Sequence, residues 1–176
     1  VLSGRVSGDL LTVSLELGSR MLVAAGIAKD VEDGKARMRD ALESGAGLAK
    51  LKAMIATQGG DARVLDDVSL LPQAAVQYEL KAPQAGYIHH MDAQKIGESS
   101  AILGAGRKTK DDTIDFAAGI VLKEKTGAKV EQGQTLAVLH TNRPETLSDA
   151  ERVFLEAIRW GTDAPEAQPL IYGIVK

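Results

Sequence analysis

Apolar positions fall into two regimes along the chain. From Asp9 to about Ala25, the residues Leu10, Leu11, Leu15, Leu17, Met21 and Leu22 recur at helical spacing around most of the circumference. That pattern predicts a helix buried on several sides. Ser7 or Asp9 is its candidate cap. Gly18-Ser19 in its interior weakens it by about 1 kcal/mol relative to Ala, which fits close approach of a neighbouring element. Asp30 begins a second helix, with Val31, Met38, Ala41 and Leu42 as its apolar stripe. Lys35, Arg37, Arg39 and Asp40 are assigned to its wet side, and Gly45 and Gly47 to its end. Leu48, Leu51, Met54 and Ile55 mark a third helix, stopped at Gly59-Gly60. Asp61 then caps one more turn, Ala62 to Asp66.

The period changes after a linker marked by Asp66-Asp67 and Leu71-Pro72-Gln73. Strand patterns appear at Val76–Leu80 and Tyr87–Met91, joined by a turn in which Pro83 fixes φ and Gly86 relaxes it. Asp92 caps a helix from Ala93 to Leu103. Gly119–Leu122 and Thr135–Leu139 are short β-branched runs flanking a tight turn at Glu131-Gln132-Gly133. Leu147 to Trp160 reads as an amphipathic helix with Val153, Phe154, Ala157 and Ile158 on one side, ended by Gly161. Pro169–Val175 reads as a last strand. The fold class is therefore α+β, helices first and a β-rich portion second. No internal period of 20 to 50 residues recurs.

Composition narrows the function classes. One Trp, three Tyr and two Phe leave a core built from Leu, Ile, Val, Ala and Met. The formal net charge of −3 gives no electrostatic reason to expect a nucleic-acid or anionic-membrane partner. No apolar run approaches the roughly 20 residues of a spanning helix, and no leader pattern opens the chain. The absence of cysteine excludes disulfides, thiolate zinc sites and cysteine nucleophiles, and fits a cytoplasmic protein. Val1-Leu2-Ser3-Gly4 reads as the end of an apolar segment, so the chain is expected to be a piece of something longer.

Candidate chemistry is sparse. His89 and His90 are adjacent, so in a strand they point to opposite faces and do not share a metal. Gly104-Ala105-Gly106-Arg107-Lys108 has the ingredients of a phosphate nest. It lacks the Lys-Ser/Thr of a P-loop and follows a helix, so an ordinary connection explains it better. Asp111, Asp112 and Asp115 are explained by a helix start that favours negative charge. The pattern of Gly127, Val130 and Gly133-Gln134 before an apolar strand is similar to that of lipoyl and biotinyl carrier sandwiches. Those present a lysine on a hairpin tip, and the turn at Glu131-Gln132-Gly133 has none. Lys81, between Leu80 and Ala82, reads as a strand-edge lysine. A stand-alone sandwich module acting as a scaffold is the alternative reading.

Gln58-Gly59-Gly60-Asp61, Ala82-Pro83-Gln84-Ala85-Gly86-Tyr87, Leu103-Gly104-Ala105-Gly106-Arg107 and Ile114-Asp115 before Ala118-Gly119 occur in order. In this order and spacing they resemble pyrimidine-nucleoside phosphorylases, as do Leu17-Gly18-Ser19 and Gly127 with Val130 and Gly133. The resemblance implies that residues 1–68 are the last helices of a central α/β domain. It implies that residues 69–176 are an α/β-hammerhead, barrel-sandwich-like domain. It further implies phosphorolysis of uridine or thymidine by the intact enzyme, with phosphate as co-substrate, a potassium site and a homodimer formed through an N-terminal domain. The family's phosphate loop, base-gripping group and cation site are all expected upstream of Val1. No catalytic, substrate-binding or metal residue is accordingly assigned to this chain, whose expected role is structural.

Overall fold

The computed structural model describes residues 1–4, 7–107 and 109–175. It divides into two compact units: Val1–Val68 with Gln168–Lys176, and Ser69–Ala167.

The first unit is built on three helices, α1 (Asp9–Ala24), α2 (Val31–Glu43) and α3 (Ala46–Thr57). Gly8, at φ 102°, occupies the N-cap of α1, so neither Ser7 nor Asp9 caps it; Asp9 is its first residue. Asp30 caps α2 by accepting from the Asp33 amide at 2.8 Å, and Asp33 in turn accepts from the Lys29 amide at 3.0 Å. That second bond, with Arg37 beside it, holds the Asp33 carboxyl below its ordinary range. Gly45, at φ 75°, caps α3, and Gly47 lies inside that helix and does not end α2.

The close approach expected at Gly18-Ser19 is present. A Cβ on Gly34 of α2 would lie 2.8 Å from the Ser19 carbonyl oxygen, and the Met38 side chain fills the space beside Gly18. Lys35 departs from the sequence reading. It is not on the wet side but turned inward, its Nζ 2.7 Å from Glu16 of α1 with only 17% of its side chain exposed. The expected burial of α1 on several sides is likewise corrected: Leu15 and Ser19 are buried, while Leu10, Leu17 and Met21 are 65%, 58% and 71% exposed. Asp61 caps the 3-10 turn Ala62–Leu65, as the sequence indicates.

The second unit holds two three-stranded antiparallel sheets. One contains β1 (Val76–Lys81), β5 (Thr135–Thr141) and β3 (Gly119–Leu122) in the order β1-β5-β3; the other contains β4 (Lys129–Val130), β2 (Gly86–Met91) and β6 (Ile158–Gly161) in the order β4-β2-β6. β3 and β5 pair directly, but the chain between them leaves that sheet so that β4 can pair with β2. The turn after β4 is fastened to the β1–β2 connection, the Gly133 amide donating to Ala82 O and the Ala82 amide to Gln134 O. Leu80, Leu136 and Leu139 from one sheet meet Ile88, Val130 and Ile158 from the other in one buried core, closed by Leu103 and Phe154.

Helices α4 (Ala93–Ser100) and α5 (Leu147–Glu156) complete the unit. Asp92 caps α4 by accepting from the Gln94 and Lys95 amides. α4 does not run on regularly to Leu103; Ala101–Ala105 is a π-helical turn, with Gly104 at φ 117°. The helix expected to reach Trp160 ends at Glu156, and Ile158, Arg159 and Trp160 form a strand paired with Met91, His90 and Ile88. Pro169–Val175 forms no strand in the structure and is grouped with the helical unit, outside the β-rich portion to which residues 69–176 are assigned from the sequence.

Candidate functional site

The glycine-rich stretch singled out in the sequence becomes part of a polar junction in the sheet-bearing unit. The carbonyls of a helix's last turn have no partner along the helix, and at Leu103 and Gly104 other elements supply one. Leu103 O accepts from the buried Thr141 hydroxyl at 2.7 Å, and Gly104 O accepts from the Asp115 amide at 2.9 Å. Thr141 Oγ1 accepts in turn from the Arg143 amide at 2.9 Å. The position of Gly104 is suited to glycine because a φ of 117° is a conformation that other residues rarely adopt.

Asp115 locks the facing loop. One carboxylate oxygen accepts from the Ala117 amide and the other from Asn142 Nδ2, each at 2.9 Å. Asn142 Oδ1 accepts from the Ala75 amide at 2.8 Å, tying the start of the unit to the same point. The Ala117 amide, then Asn142, then the Arg143 charge hold the Asp115 carboxyl below the ordinary range. A carboxylate so stabilised is a weak base, and its role is to hold the loop. The helix start proposed for Asp111, Asp112 and Asp115 does not exist here. Asp112 accepts from the Thr109 amide and hydroxyl in a turn, and Asp115 forms an Asx turn. Lys108, the last residue of the candidate nest, lies outside the described residues.

The remaining candidates are also structural. His89 sits at a register shift in the β2–β6 ladder, its ring against Gly161 and its Nε2 2.7 Å from Asp163 O. His90 is exposed beside it. Among the described residues no three His, Asp or Glu side chains are placed to hold a metal ion. Lys81 ends β1 and pairs with Glu79 and the Thr135 hydroxyl. Tyr78 donates to Glu151 Oε2 at 2.9 Å, which joins β1 to α5 and raises the phenol pKa. An open groove of about 390 Å³ runs between Met91, Ala93, Ile96, Leu122, Lys125 and Thr126. The sequence reading missed Thr141 and Asn142 as partners of the junction. Their polar side chains at the end of an apolar strand are the only local signal.

This sheet-bearing unit has known counterparts. Residues 87–161, from β2 to the end of β6, match the family described as the pyrimidine nucleoside phosphorylase C-terminal domain. The unit is thus a C-terminal domain of that kind. The wider chain is 46% identical over 144 residues to the pyrimidine-nucleoside phosphorylase of Staphylococcus aureus strain bovine RF122 / ET3-1, covering 82% of this chain. The same identity and coverage hold for the proteins of that name from strains USA300 and NCTC 8325. The chain thus matches the C-terminal portion of the pyrimidine-nucleoside phosphorylase family. The match spans about a third of the length of these relatives, 33% in each case.

Proposed function

We propose that the chain serves as the structural C-terminal portion of an enzyme that cleaves pyrimidine nucleosides with phosphate. The identity to the Staphylococcus aureus proteins over 144 residues carries this reading. In such a reaction phosphate attacks C1′ of uridine or thymidine, the bond from C1′ to the base nitrogen breaks, and the base departs with its electron pair. The enzyme's task is to hold phosphate near C1′ and to stabilise charge on the departing base. Those groups, a potassium site and the surfaces of a homodimer are assigned to polypeptide outside this chain, and the intact enzyme is assigned to the cytoplasm. Residues 1–68 act as the last helices of a central α/β domain and the sheet-bearing portion as its buttress. The polar residues of the junction fit that role, since Asp115, Asn142 and Thr141 spend their hydrogen bonds on one another's loops. A carrier-like scaffold is less well supported, because Lys81 is tied down within its own sheet.

The test has two arms. The 176-residue chain alone, incubated with uridine in phosphate buffer, is expected to release no uracil above a blank without protein. The full-length gene product is expected to convert uridine or thymidine in a phosphate-dependent way. Phosphate-dependent uracil release by the chain alone overturns its structural role. A pure intact protein inactive on both nucleosides, with and without potassium, overturns the enzymatic reading.

A further inference from the structure

Residues 169–175 read Pro-Leu-Ile-Tyr-Gly-Ile-Val, an apolar run rich in β-branched and aromatic side chains. Such a run without alternation belongs to a strand covered on both faces. Here it is in neither helix nor strand, and its side chains are wet: Leu170, Ile171, Tyr172, Ile174 and Val175 are all exposed, the last completely. The segment is also grouped with the helical unit and not with the Ser69–Ala167 unit that directly precedes it.

That helical unit has a matching deficit. Leu10, Leu17 and Met21 line one exposed face of α1, and Met54 is exposed on α3. Helices with an apolar face of this sort belong against a sheet in layered α/β architecture, and the unit contains no strand among its described residues. The relatives are about three times as long as the span they share with this chain, so polypeptide able to supply a sheet exists in them outside that span. We infer that residues 169–175 form an edge strand on a β-sheet supplied by that remaining polypeptide. Backbone amides and carbonyls of the tail pair with the sheet edge, and the layers packed on the two faces of that sheet cover the tail's apolar side chains. This rests on reading the chain as the C-terminal portion of a phosphorylase.

The experiment fuses the part of the Staphylococcus aureus USA300 relative that lies outside the match to the N-terminus of this chain, and follows amide hydrogen exchange by mass spectrometry. In the 176-residue chain at low micromolar concentration, amides 170–175 are expected to exchange at rates close to those of an unstructured peptide. In the fusion they are expected to slow by about 100-fold or more. Ile171→Pro and Ile174→Pro, which remove backbone donors, are expected to abolish that protection in the fusion and leave the far-UV circular dichroism of the 176-residue chain unchanged. A folded fusion whose tail exchanges as fast as in the chain alone overturns the inference. Protection that arises in the chain alone and grows with its concentration overturns it in favour of a second copy. A fusion that does not fold counts against it too, since the tail then finds no sheet. Phosphorolysis by the fusion is read separately: protection without activity sinks only the enzymatic reading, and activity without protection sinks only the strand.

Discussion

Two glycines on facing helices show how position decides what a methyl group does. Gly34 meets the Ser19 backbone, which cannot move without moving α1, whereas Gly18 meets the flexible end of Met38. Gly34→Ala is therefore expected to destabilise the helical unit by about 1–3 kcal/mol through forced separation of α1 and α2. Gly18→Ala gains up to about 1 kcal/mol of helix propensity against the cost of a shifted Met38, and is expected to change stability little. Urea denaturation of both variants, followed by circular dichroism, checks the contrast; equal losses would mean that Met38 gives way no more easily than the Ser19 backbone. Thr141 poses a similar question in the other unit. Its buried hydroxyl serves both Leu103 O and the Arg143 amide. Thr141→Val removes a partner from both groups and is expected to cost about 1–3 kcal/mol. Thr141→Ser keeps the hydroxyl and should lose clearly less. A Val variant as stable as the parent would show that the π turn does not depend on this bond.

At the scale of elements, local signals and long-range pairing part company. Asp30, Asp61 and Asp92 cap where the sequence places them, and β3 occupies the residues its pattern marks, because caps and short apolar runs are local features. The end of α5 was not legible. Val153, Phe154, Ala157 and Ile158 continue a helical stripe without a break, and Gly161 looks like a terminator. Pairing of Ile158–Gly161 with β2, more than 60 residues earlier, decides for a strand. The two-residue β4 gives no periodic signal at all, and the π turn is equally hidden, since it depends on partners at Thr141 and Asp115. The junction loop also carries a pH dependence. The Asp115 carboxyl is held below the ordinary value by the Ala117 amide, Asn142 and Arg143. Its contribution to stability is thus complete above the unfolded-state pKa of about 3.9 and is lost as pH falls through the lower folded value. Exchange protection of the Ala117 amide, referred to the intrinsic rate at each pH, is expected to fall over that acid range. In Asp115→Asn the pH dependence should vanish, and a fall that persists there would assign it to another carboxylate.

Across the whole molecule, the two units bury their apolar side chains very unequally. In Ser69–Ala167, Leu80, Ile88, Leu103, Val130, Leu136, Leu139 and Phe154 are all essentially inaccessible to solvent. In the helical unit the buried apolar residues are Leu15 and Ala28, while Leu10, Leu17, Met21, Ile27 and Met54 face water. Each fully buried Leu, Ile, Val or Phe contributes about 1.5–3 kcal/mol, against a net stability of roughly 5–15 kcal/mol for a typical domain. The sheet-bearing unit has the means to stand by itself, and the helical unit depends on whatever covers α1. The ion pairs of Glu16 with Lys35 and Asp33 with Arg37 also hold that unit, but pairs of this kind do not replace a missing core. Limited proteolysis at low protein concentration is therefore expected to cut first within 1–75 or in the 168–175 tail, and to leave a resistant product close to residues 76–167. Mass spectrometry of the products identifies the boundaries. First cuts within 117–140 that leave 1–66 intact would show that the helices, not the paired sheets, form the stable part of this chain.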